Sequence, residues 1–209
     1  MDTKPLLAIV APFALVALLA TRQPAQPTTP QANTPTYTDS GELKRPAQYR
    51  EWVYLTTGFD MSYSASSSPD HHMFDNVFVN PEAYRFFLAN GTWPDKTMLV
   101  LEVRGAHSKG SINQSGNFQS TAVMGLEVHV KDESRFHAQG NWAFYGFDSE
   151  KPSKMTPTSA SCYSCHAQHA AVDTTFVQFY PTLLPIAQSH STLSPTYVKE
   201  SAEAAATAK

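Results

Sequence analysis

The chain has 209 residues, 42% hydrophobic and 11% aromatic, which suits one domain with a substantial core and excludes a wholly disordered chain. Its formal net charge is -3, from 15 Lys and Arg against 18 Asp and Glu; no basic stripe stands out, so nothing in the charge supports binding to nucleic acid. Its 2 cysteines lie close together in the chain, too close to staple distant parts of a fold, and so point to a local chemical site.

The N-terminus reads as an export signal. Lys4 precedes an apolar run from Leu6 to Ala20 that is broken only by Pro12. A spanning helix needs about 20 residues, whereas the apolar core of a signal peptide needs ~7–15. Residues 1–20 are therefore expected to be a signal peptide, with an uncleaved N-terminal membrane anchor as the alternative, and the protein is expected in the periplasm or otherwise exported. Asp2 and the lack of a clean small-x-small cleavage site count against a standard signal. Residues 21–40 are rich in Pro, Thr and Gln and read as a disordered linker. A folded domain is expected over residues 41–190, followed by an Ala/Ser/Thr-rich flexible tail at 191–209.

Within the domain, Tyr49 to Thr57 has strand-forming residues in partial alternation. A Ser/Pro loop follows from Ser62 to Asp70, and Met73 to Val79 reads as a second strand. Asn80-Pro81-Glu82 supplies an N-cap, a proline at the first helical position and an acid in the first turn. That helix is expected to run to Ala89 and stop at Asn90-Gly91. Met98 to Arg104 is a third strand. Phe118 to Lys131 is a fourth, long one in which Val128 and Val130 alternate with Glu127 and His129, and Asn141 to Phe147 is a fifth. Ser159 to Ala171 looks helical and carries both cysteines. The pattern predicts an α+β fold: an antiparallel β-sheet with flanking helices and a chemical motif on a C-terminal helix.

That motif is Cys162-Tyr163-Ser164-Cys165-His166. Two thiols about one helical turn apart can each add to one vinyl group on the same edge of a haem. His166, the next residue, then lies beneath the iron and supplies its nitrogen ligand. C-x-x-C-H is the attachment pattern of c-type haem. A structural zinc site would call for a second such pair, which is absent. A thioredoxin-like pair would sit on a βαβ unit, not after a run of strands. One covalent haem c is expected. A methionine or histidine in the sixth position would make the protein an electron carrier, and an open position a ligand binder or catalyst. Met61, Met73, Met98, Met124 and Met155 are the methionine candidates, though their ordinary role is core filling.

Strands first and the haem helix last is an arrangement that resembles the cytochrome P-460 family, which includes the cytochromes c-prime-beta. The resemblance is carried by YREWVYL from Tyr49, FDNVFVNPEAYRFF from Phe74, GAHSKGSINQSGNFQ ending at Gln119, GLEVHVKDESRF from Gly125, GNWAFYGF from Gly140, the C-x-x-C-H motif and FVQFYPTL from Phe176. It implies a homodimer with the haem packed against the sheet and an iron whose only protein ligand is His166. It also implies either oxidation of hydroxylamine with nitric oxide chemistry, or non-enzymatic binding of nitric oxide and carbon monoxide. The oxidising members carry a lysine crosslink to the macrocycle, for which Lys109 matches by position, and they pass electrons to a soluble cytochrome acceptor. Phe74 matches a distal phenylalanine. For the distal carboxylate of the oxidising members, Glu127 is the nearest acid in the relevant strand, and His129 shares its face by alternation. Where relatives often have acids, this chain reads His137-Ala138-Gln139, a departure that counts against efficient oxidation.

Overall fold

The computed structural model describes residues 33–63 and 71–207. The expected signal peptide or anchor lies outside the described residues, as do residues 21–32 of the expected linker. No helix among the described residues is long and apolar enough to cross a membrane.

The ordered part begins earlier than the composition suggests. Tyr37 forms a β-bridge with the fully buried Leu43, which bridges in turn to Ser153. The Arg135 guanidinium lies 3.9 Å from the centre of the Tyr37 ring. Asn33 accepts a hydrogen bond from Trp52 Nε1 at 3.0 Å. Residues 33–40 therefore belong to the domain and not to a disordered linker, because Tyr37 and Asn33 find buried partners that the surrounding Pro and Thr lack.

Tyr49–Glu51 is a short 3-10 turn, and strand β1 follows at Val53–Phe59. The strand starts later than its sequence suggests because Tyr49 is pulled inward to bond the buried Glu102. Strand β2 is Met73–Val79, helix α1 Pro81–Asn90, β3 Met98–His107, β4 Phe118–Lys131 and β5 Trp142–Phe147. The strands form one antiparallel sheet in the order β1-β2-β3-β4-β5. Pro81 opens α1, and Gly91 closes it in the left-handed region at φ 70°. Asn80 does not cap α1 with its side chain. Its Oδ1 instead accepts from Met98 N at 2.8 Å, fastening the helix entrance to β3.

The sheet buries both faces, and so needs two cores. One face packs Leu43, Tyr49, Trp52, Val100, Val128 and Tyr145. The other packs Phe87 and Trp93 with Leu99, Trp142, Val172 and Leu183. On this second side lie helix α2 at Ser161–His169, a 3-10 turn at Val177–Phe179 and helix α3 at Leu184–Ser189.

The expected flexible tail contains a helix, α4, at Pro195–Thr207. Ser194 precedes it, its Oγ accepting from Tyr197 N at 3.2 Å and donating to Ala170 O at 2.6 Å. Proline at the first position and a run of alanines complete a strong helix signal. His169 Nδ1 and Glu200 Oε1, 2.7 Å apart, link α2 to α4.

Candidate functional site

Helix α2 is short and buries none of its residues fully, so neighbours fix its position. Tyr163 does most of this: its hydroxyl accepts from Phe144 N at 3.3 Å, donates to Thr156 O at 3.1 Å, and its ring meets Phe144 edge-on at 4.9 Å. The helix is thereby clamped to β5. With Tyr163 turned to the sheet, Cys162, Cys165 and His166 line a cavity of about 530 Å³ between helix and sheet. Both cysteines are free thiols and half-buried.

The imidazole of His166 is oriented. Its Nδ1 lies 2.7 Å from the carbonyl oxygen of Thr174. A carbonyl only accepts, so Nδ1 carries the proton and Nε2 is left with a free lone pair. The ring is held by Phe176 at 4.1 Å and Phe144 at 4.7 Å between centroids. Burial pushes its pKa down, opposed in part by the Thr174 carbonyl, and the net effect favours the neutral ring that ligates metals.

The opposite wall of the cavity is one face of the sheet. Met73, Asp75 and Val77 of β2, Leu99, Leu101 and Val103 of β3, and Glu127 and His129 of β4 present alternate side chains to it. Two carboxyls in a largely apolar lining are costly as anions. Burial, followed by the charge of Asp60, raises the pKa of Asp75. Burial, followed by the charge of Asp75, raises that of Glu127. Tyr63, 74% exposed, also lines the cavity at its rim.

The residues expected from sequence fall in different places. Glu127 opens into the cavity. His129, only 8% exposed, also reaches the lining, but it lies beside His166, with ring centroids 5.2 Å apart. It stacks on Phe144 at 3.9 Å and 9° and touches Trp142 at 4.4 Å. Burial and the adjacent His166 hold its pKa well below the usual value. Phe74 is not in the lining; it packs on Phe59 at 4.8 Å, on the sheet face away from Asp75. Lys109 is exposed, in the loop between β3 and β4, and is likewise not in the lining. Asn113 closes that loop by donating to Ser108 O and Gly116 O, at 2.9 and 3.2 Å. Of the methionines, Met61 and Met73 line the cavity, while Met98 is buried in the core of the other face. Asp75, Tyr63 and Thr174 complete the site. Alternation with Val77 could have indicated Asp75; nothing local marks Thr174, which acts through its backbone.

Haem c fits these residues. Two thiols and an imidazole with a free Nε2 share one wall, the opposite wall is mainly apolar, and the volume falls in the ~300–1,000 Å³ range of cofactor sites. Among the described residues no three His, Cys, Asp or Glu side chains converge to hold a bare metal ion. Fold and site define an α+β protein whose C-x-x-C-H helix faces a sheet across a cavity of cofactor size. The model of the cytochrome P460 family matches residues 46–177, well over half of the chain, which belongs to that family. Family membership implies a haem c cofactor. No curated protein matches the chain.

Proposed function

We propose that this protein is an exported haem c oxidoreductase that acts on hydroxylamine or nitric oxide. Cys162 and Cys165 would hold one haem through thioethers to its two vinyl groups, and Nε2 of His166 would ligate its iron. The observation that carries the reading is the shared cavity: thiols and oriented imidazole on one wall, Asp75 and Glu127 on the other.

When bound, haem c supplies an iron that binds a small nitrogen ligand and passes on its electrons. The protein's own groups do the rest. Burial keeps His166 neutral, and Thr174 O, which holds its Nδ1 proton, keeps it oriented. Oxidising hydroxylamine releases protons as well as electrons. Asp75 and Glu127, with pKa values raised toward working pH, are suited to accept the protons. The electrons leave to a soluble cytochrome acceptor, and the functional unit is a homodimer. These two carboxyls answer the missing acid at His137-Ala138-Gln139.

A second reading is non-enzymatic binding of nitric oxide or carbon monoxide, as in the c-prime-beta members. It is favoured by the exposed position of Lys109, outside the cavity lining. A crosslink would require the 108–117 loop to reach the ring.

Purified protein from a host competent in cytochrome maturation tests both readings. Intact mass should exceed the mature polypeptide by one haem, and hydroxylamine should reduce an added cytochrome. Haem-loaded protein that binds nitric oxide but is inert to hydroxylamine would favour the second reading. Colourless protein at polypeptide mass would end both. Comparing ferrous spectra of wild type and Lys109→Ala decides the crosslink: a strongly red-shifted Soret band that reverts in the variant requires it, and identical spectra exclude it.

A further inference from the structure

His166 is held through a turn that is closed on itself and anchored by side chains of other elements. Val172 and Thr175 bridge each other across the turn, and Asp173 between them sits in the left-handed region at φ 52°. A non-glycine residue in that region needs outside support. Trp93 Nε1 donates to Thr175 Oγ1 at 2.7 Å, and Thr175 Oγ1 donates to Val172 O at 2.8 Å. Lys131 Nζ donates to Trp93 O at 2.7 Å and reaches Asp173 Oδ2 at 3.4 Å. The remaining member, Thr174, has two contacts. Its carbonyl takes the Nδ1 proton of His166, and its hydroxyl pairs with His129 Nε2 at 3.3 Å.

We infer that His129 is a positioning residue, not a proton acceptor for the ligand: it fixes Thr174 so that the Thr174 carbonyl stays on His166 and sets how strongly that imidazole donates to the iron. The inference rests on the proposed ligation of iron by His166. Its physical basis is general. A hydrogen bond from the far nitrogen of a ligating histidine raises the basicity of the near one, and the partner that aligns this bond tunes the metal. A more basic imidazole stabilises ferric over ferrous iron and strengthens the iron–histidine bond. His129 suits the task because the Phe144 stack and the Trp142 contact leave its ring little freedom.

The test uses haem-loaded protein and three variants. His129→Phe keeps an aromatic ring against Phe144 and Trp142 but loses Nε2. Thr174→Val keeps the shape and the backbone carbonyl but loses the hydroxyl. Thr174→Ser keeps the hydroxyl. Midpoint potential and the iron–histidine stretching band of the ferrous protein are measured, with intact mass as the check on haem loading. His129→Phe and Thr174→Val should both raise the potential and lower the stretching frequency, while Thr174→Ser stays near wild type. Haem-loaded His129→Phe and Thr174→Val with wild-type potential and band would overturn the inference and leave the attachment reading intact. If His129→Phe does not fold, the Thr174 pair decides alone: Val shifted and Ser not supports the inference, and both unshifted overturns it. A wild type without haem would overturn the attachment reading itself, and with it the inference.

Discussion

Asp75 on β2 and Glu127 on β4 open into one cavity from the same face of the sheet, and the charge of Asp75 adds to burial in raising the pKa of Glu127. A proton acceptor must be deprotonated to work, so hydroxylamine oxidation should increase as pH climbs through these raised values. Glu127→Gln should lower turnover about 10²-fold, the lower end for loss of a general base, and leave carbon monoxide binding in place. Asp75→Asn should move the acidic limb of the pH–rate profile to lower pH, since Glu127 would no longer face a neighbouring anion. The sign for stability is opposite. A carboxyl with a raised folded pKa contributes most below its unfolded value and loses that contribution as pH rises through the folded value. Thermal melts of the two variants should therefore match wild type in acid and exceed it at neutral pH. Equal melting temperatures at neutral pH would refute the strained-carboxylate account.

On the other face of the sheet, Glu102 is 2% exposed and meets Tyr49, Arg104 and Arg50, the last at 2.6 Å. Burial alone would raise its pKa, but hydrogen bonds from Arg104 and Tyr49 and the charges of Arg104 and Arg50 bring it below the usual carboxylate value. Removing one member of such a cluster leaves the others unpaired. Glu102→Ala should cost about 3 kcal/mol in urea unfolding, with haem spectra unchanged. A depressed carboxylate stabilises above its unfolded pKa of about 4.3 and ceases to as pH falls through the lower folded value. Wild type and Glu102→Ala should therefore converge in stability only in strong acid, which unfolding series at several pH values would check.

His169 and Glu200 join the C-x-x-C-H helix to α4, with 43% and 42% of their side chains exposed. Half-exposed ion pairs contribute little. His169→Ala should change stability by less than about 1 kcal/mol and leave haem incorporation, read by intact mass, as in wild type. A large loss of haem loading would give α4 a part in holding the C-x-x-C-H helix that its exposure does not suggest.

Local rules made β2, β4 and α1 legible in the sequence: strand-forming residues in β2, alternation around Glu127 to Val130 in β4, and proline at the start and glycine at the end of the helix. Local rules divide a strand into two sets of side chains without saying which set faces a ligand. Hence Phe74 was the expected pocket residue, while Asp75 beside it is the one in the lining. The ends of the domain are hidden in the sequence for a related reason. Pro, Thr, Ala and Ser look like linker and tail until a few anchors, Tyr37 against Arg135 at one end and Ser194 against Ala170 at the other, find partners far away in sequence. The C-x-x-C-H spacing is itself local, whereas the Thr174 carbonyl that orients His166 lies 8 residues further along the chain and leaves no mark in side-chain identity.

Met61 and Met73 are the methionines that could compete for the iron, since both line the cavity. A thioether in the sixth position would make the iron six-coordinate and low-spin and suit it to electron transfer, whereas an open position gives a high-spin iron that binds small ligands. Met61 has another evident role. Its sulfur lies over Gly58, 2.6 Å from where a β-carbon would stand, so it fills space that the glycine leaves free. Met73 is 37% exposed at the start of β2. Packing residues of this kind should be replaceable by leucine of similar volume at a cost below about 1.5 kcal/mol. Under the proposed function the wild-type ferrous protein should be high-spin and bind carbon monoxide, and Met61→Leu and Met73→Leu should both leave that spectrum and affinity unchanged. A wild type that is low-spin, and turns high-spin when either methionine is replaced, would make that sulfur a ligand and the protein an electron carrier.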